Sequence, residues 1–168
     1  MDTSDELRFD PAFDGGGASK RLRRQLSRLL GMTSAQTSRV AAEALAPLGA
    51  PKAHFVVLAV LDEAGPASQA VLADRARVYR SDLVAVLNEL AEGGWIVRAP
   101  DPDDKRRNTI TITDAGRERL AEIEAVLDGV NDFITAPLSE AERAQLFSLL
   151  GRVNAHLAAS AGGASPAP

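Results

Sequence analysis

Between Arg80 and Thr113 the hydrophobic pattern changes period, and that change limits the folds open to this chain. Leu83, Leu87 and Leu90 recur at helical spacing. Gly93-Gly94 stops the helix. Trp95 to Arg98 then reads as a strand. So does Asn108 to Thr113, with Ile110 and Ile112 on one face and threonines on the other. Between the strands lies PDPDDKRR, residues 100–107, in which turn formers and acids precede three consecutive cations. A helix running into a hairpin with a charged tip is the constraint that the rest of the chain must fit.

The flanking segments are helical. From Ser19 to about Ala46, Leu22, Leu26, Leu29 and Leu30 fall on one face, until Pro47, Gly49 and Pro51 break the chain. A second helix fits Pro51 to about Ala64, with Pro51 in its first turn. After Gly65-Pro66, Ser68 caps a short helix to about Arg75. Thr113-Asp114 opens a long helix with Leu120, Ile123, Leu127, Val130 and Ile134 in line. Ser139 and Glu142 form a capping box for the last one, whose stripe is Leu146, Leu149, Leu150, Val153 and Leu157.

The expected fold is therefore mainly α (α+β): a winged helix-turn-helix with a two-stranded wing, flanked by long apolar helices that are consistent with dimerisation helices. The boundaries follow the punctuation. Residues 1–17 are a flexible segment, 18–50 an N-terminal dimerisation helix, and 51–113 the winged lobe. Residues 114–160 form the C-terminal dimerisation helices and 161–168 a disordered tail. The second helix of the pair is expected in a major groove, and the hairpin tip on phosphates or a minor groove.

Composition narrows the chemistry. The 168 residues include no cysteine and only two histidines, so thiol chemistry is excluded and no metal or cofactor is expected. The acidic start lacks the layout of a signal peptide, and no apolar run approaches the roughly 18 residues of a membrane span. A cytoplasmic protein without a membrane partner is expected. The net charge is −4, yet residues 67–120 are neutral, so local basic surfaces survive within an acidic total. No nucleophile–base pair or Gly-rich phosphate loop suggests an enzyme.

The run GPASQAVLADRARVYRSDLVAVLNELAEGGWIVRAPDPDDKRRNTITITDAGRERL, residues 65–120, resembles the core of the MarR family of bacterial transcriptional regulators. DPDDKRR, the Thr/Ile strand and TDAG carry the resemblance most specifically. It implies a homodimer on palindromic double-stranded DNA, with interleaved terminal helices. It also implies release by a small aromatic or phenolic ligand. Asp104-Lys105-Arg106 matches the family's D-x-R element, so Arg106 is expected in the minor groove, with Asp104 supporting the wing. Lys105 and Arg107 are expected on phosphates.

On the recognition helix, the 3.6 period turns Ser81, Ala85 and Asn88 outward, with Asp82 and Glu89 beside them. Asp82 and Ala85 depart from the hydroxyl and the cation that the family often carries there. Arg77 and Arg80 supply cations at the helix entrance. Arg28, Met32, His54, Phe55 and Trp95 are the candidates for ligand binding. The basic cluster from Lys20 to Arg28 is a solvated face, a backbone contact or a pairing surface. The competing function is a winged-helix protein–protein interaction module without specific DNA binding.

Overall fold

The computed structural model describes residues 24–100 and 108–160. The described residues fall into two compact units, one up to Val130 and one from Asn131. In chain order the elements are α1 (Leu26–Leu45), a 3-10 turn (Ala46–Leu48), α2 (Lys52–Ala64), β1 (Ala67–Ser68), α3 (Gln69–Ala76), α4 (Arg80–Glu92), β2 (Ile96–Pro100), β3 (Asn108–Ile112), α5 (Asp114–Thr135) and α6 (Glu140–Ser160).

In the first unit α2 is the central element. It packs against α1, α3, α4 and β3. Val57, Leu58 and Leu61 are fully shielded there, together with Leu72 of α3, Leu83, Leu87 and Leu90 of α4, and Ile96 and Ile110 of the sheet. The leucine stripe of α4 therefore faces inward as its period requires.

The sheet differs from expectation. It has three antiparallel strands in the order β1-β3-β2, not the wing pair alone. Ala67 pairs with Ile110 and Ser68 with Thr109, so two residues before α3 already belong to the sheet. A two-residue strand has no periodicity to read. The other edge is β2, where Ile96 faces Ile112 and Pro100 faces Asn108. An edge strand tolerates Pro100 because its other side needs no ladder donor.

A second difference lies at the start of α1. Gln25 is extended, with φ −87° and ψ 103°, where a continuous helix from Ser19 was expected; residues 19–23 lie outside the described residues. Within the described residues the helix begins at Leu26.

The junction between hairpin and long helix explains TDAG. The Thr113 N–H donates to Trp95 O at 3.0 Å, and its hydroxyl donates to Gly94 O at 2.8 Å. The same hydroxyl accepts from Gly116 N at 3.0 Å, capping α5. A side chain at Gly116 would collide with the Trp95 carbonyl oxygen and with Ile112. Trp95 also completes the end of α4. Its N–H bonds Leu90 O, and Gly94 N–H bonds Ala91 O, with Gly94 left-handed at φ 72°. This is a Schellman closure, and it requires glycine at the left-handed position.

In the second unit, Ser139 and Glu142 form the expected capping box. Ser139 N–H donates to Glu142 Oε2 at 2.8 Å, and Glu142 N–H returns to Ser139 Oγ at 3.4 Å. The bonds from the Ser139 hydroxyl and backbone hold the Glu142 carboxyl below its usual range. Arg143 pairs with Asp132 at 2.5 Å. No residue of α6 is buried within the chain.

Two glycine substitutions test this packing. Gly116→Ala is expected to destabilise by about 1–3 kcal/mol, through overpacking against backbone that cannot yield. Gly129→Ala, in the same helix with open space around it, is expected to stabilise by about 0.5–1 kcal/mol. Urea unfolding of the two variants checks the opposite signs; a tolerated Gly116→Ala contradicts the close junction.

Candidate nucleic-acid interface

Helices α3 and α4 form the helix-turn-helix. Ser68 Oγ accepts from Val71 N at 3.4 Å to start α3. Arg77 ends it in the left-handed region at φ 51°, its N–H on Ala73 O and Asp74 O. A β-carbon there costs roughly 1–2 kcal/mol. Tyr79 holds the N-cap position of α4 without a side-chain bond. Asp82 does not cap: it accepts from the Ser81 hydroxyl at 3.0 Å. Its charge in the first turn still complements the helix dipole.

Ser81, Ala85 and Asn88 are exposed on one face of α4, where the period put them. The same face carries Val84, and Tyr79 projects beside it with 83% of its surface exposed. Sequence reasoning passed over both, although Val84 lies three residues after Ser81 and four before Asn88. Ala85 and Val84 give this surface apolar contacts of the kind that meet thymine methyl groups. Arg77 and Arg80 are exposed at the helix entrance, and neither forms an ion pair among the described residues.

Glu89 is bonded to the scaffold, although its side chain stays 55% exposed. Its carboxylate accepts from His54 Nε2 at 2.8 Å, and the His54 ring on α2 is only 3% exposed. The acid that the sequence places beside the outward face is tied back to the scaffold. His54 Nδ1 has no partner among the described residues, so the ring fits best with its proton on Nε2. The ring also lies 5.8 Å from Trp95, tilted by 58°. Arg119 covers Trp95 from α5, 4.8 Å from the ring centroid, while donating to Leu48 O and Glu122. The buried His54 thus has a partner on α4, which ties that helix to α2.

Arg98 was also missed. It stands opposite Ile110 on β2, sharing a sheet face with Ile96, and its Nη2 donates to Asn88 Oδ1 at 2.8 Å. Only the pairing of the sheet shows that this cation reaches α4. The wing candidates Asp104, Lys105, Arg106 and Arg107 lie outside the described residues, between the paired ends Pro100 and Asn108. Lys20, Arg21 and Arg23 of the basic cluster lie outside them too.

Of the five ligand candidates, His54 and Trp95 meet as described, and Phe55 packs on the core. Arg28 and Met32 are half-buried on α1. A separate groove of about 470 Å³ opens where α1 meets α2, lined by Ala41, Leu45, Gly49, Ala50, Pro51 and Lys52 among others. The signal for it was the Ala-rich turn broken by Pro47, Gly49 and Pro51. Among the described residues no cluster of acids and histidines could hold a metal ion, and no single helix is long and apolar enough to cross a membrane.

These elements match known proteins. The MarR family profile matches residues 48–107. A Thauera aromatica protein assigned as a transcriptional regulator of the hcr operon is 46% identical over 87 residues, or 51% of this chain. That match spans 52% of the relative, about half its length. A Pseudomonas aeruginosa structure assigned as a transcriptional regulator is 30% identical, covering 79% of this chain and 99% of its own, with a TM-score of 0.71. CouR, a transcriptional repressor solved bound to a 23-mer DNA duplex, is 28% identical with a TM-score of 0.73, over 80% of this chain and 96% of its own. The order of helices around the three-stranded sheet, the TDAG junction and these matches agree: the chain belongs to the MarR family.

Proposed function

We propose that the chain is a cytoplasmic transcriptional regulator, a repressor that binds palindromic operator DNA as a homodimer and is released by a small aromatic or phenolic acid. One observation carries the DNA reading: the exposed face of α4, Ser81, Val84, Ala85 and Asn88, has at its entrance two arginines without an ion pair among the described residues, Arg77 and Arg80, and Glu89 beside it is bonded back to His54. A face so arranged suits a major groove flanked by phosphates. The relatives are regulators and not enzymes, which supports the same assignment.

Dimerisation rests on unpartnered apolar surface. Leu146, Phe147, Leu149, Leu150, Val153 and Leu157 on α6 are all more than a third exposed, and Leu26 and Leu29 on α1 more than half. The interface is read as residues 19–46 and 139–159. For the ligand, the groove at the α1–α2 junction has the volume of a small-molecule site and an apolar wall. Lys52 at its rim would pair with a carboxylate, whereas Arg28 and Met32 lie outside its lining.

Light scattering at micromolar concentration is expected to give a dimer; a monomer contradicts the interface. DNA affinity is expected to fall by ~10³–10⁵ between 50 and 200 mM salt, from on the order of 6–10 phosphate contacts per dimer. A flat response, followed by fluorescence anisotropy, favours the protein-interaction module instead.

The wing gives a second test. Arg106→Ala is expected to weaken operator binding about tenfold or more with the fold intact, whereas Lys105→Ala weakens all sequences alike. Asp104→Ala is expected to weaken binding, because the carboxylate supports Arg106. Tighter binding by Asp104→Ala with a neutral Arg106→Ala means the turn is not a DNA-reading wing.

A further inference from the structure

Asn88 lies on the exposed face of α4, and its amide is already oriented. Arg98 Nη2 donates to Asn88 Oδ1 at 2.8 Å. A guanidinium has donors only, so it can meet the oxygen end of the amide and not the nitrogen end. The bond therefore fixes which way the amide faces, and it leaves the two Nδ2 hydrogens for an outside partner. It also places a positive charge against the acceptor. Among the described residues Arg98 has no carboxylate partner. The register of the sheet brings it there: Arg98 shares a face with Ile96 and Ile110, and beyond the buried Ile96 that face reaches α4.

The consequence concerns base choice. An asparagine reads adenine by accepting from N6 and donating to N7 at once. Here the accepting end is occupied, and an approaching N6–H₂ group meets the guanidinium hydrogens. What remains is a surface of donors from both side chains. Guanine offers two acceptors, O6 and N7, on its major-groove edge.

We propose that Arg98 is a specificity-determining residue: by holding the Asn88 oxygen, it makes the Asn88–Arg98 pair an all-donor reader that selects guanine over adenine at one symmetric position of the operator. The proposal rests on the reading that α4 enters the major groove. It assigns a function to a strand residue outside the recognition helix and outside the wing tip.

The test uses the full chain and a pool of randomised duplexes, selected in parallel by the native protein, Arg98→Ala, Asn88→Ala and the double variant. All three changes are on exposed side chains, and thermal unfolding monitors the fold. The native protein is expected to enrich guanine at one position in each half-site. Arg98→Ala frees the amide oxygen and is expected to move that position toward adenine by about tenfold, with the other positions unchanged. The double variant is expected to lose the adenine preference, since the amide that reads it is gone. Uniformly weaker binding by Arg98→Ala with an unchanged base profile makes Arg98 a phosphate contact and overturns the proposal alone. No enrichment by the native protein overturns both the proposal and the DNA-binding reading beneath it.

Discussion

The close approach of Gly116 to the Trp95 carbonyl is the constraint on which the recognition unit depends. One residue, Thr113, bonds both chain segments there: its backbone N–H meets Trp95 O, and its hydroxyl bridges Gly94 O and Gly116 N. The end of α4, the start of β2, the end of β3 and the start of α5 are thereby fixed within one turn of chain. No side chain larger than hydrogen fits at Gly116 without moving backbone. The four elements then have one relative arrangement, and the direction in which α4 presents its outer face follows from it.

The His54–Glu89 bond adds a second constraint from the opposite side. A buried imidazole needs a partner, and Glu89 supplies one across 35 positions of sequence. The same bond ties the Glu89 carboxylate to α2, although the side chain stays 55% exposed. Packing and polar contacts act together there: α2 holds the helix and engages one of its acids, while Asp82 stays exposed in its first turn. Within a chain of net charge −4, the exposed Arg77 and Arg80 supply the local positive charge that suits phosphates. The central lobe is a closed core, whereas α6 leaves its apolar residues uncovered, which accords with a chain that completes its packing by pairing.

Much of this was legible because it is periodic or chemically singular. The Leu83, Leu87 and Leu90 stripe, the Gly93-Gly94 stop, the Ile110 and Ile112 alternation and the Ser139–Glu142 capping box each carry a local rule, and each element formed where the rule placed it. Ser81, Ala85 and Asn88 came out exposed for the same reason. What failed lacked a local rule. β1 is two residues long and exists only because β3 is beside it. The extended Gln25 breaks a run whose leucines continue the helical period. Glu89 looked outward because periodicity gives the direction of a Cα–Cβ bond and not where a flexible carboxylate ends. Arg98 required the sheet register, and the groove beside Lys52 required the angle between two helices, neither of which a single segment encodes.

The central claim is that two copies of the α4 face read DNA together. Hydroxyl-radical footprinting of the chain on a duplex selected from its own genomic DNA tests it most directly. The account predicts two protected half-sites related by a dyad, centred roughly one helical turn, 10–10.5 base pairs, or a multiple of it apart. A single protected half-site, protection without dyad symmetry, or none at all would contradict it.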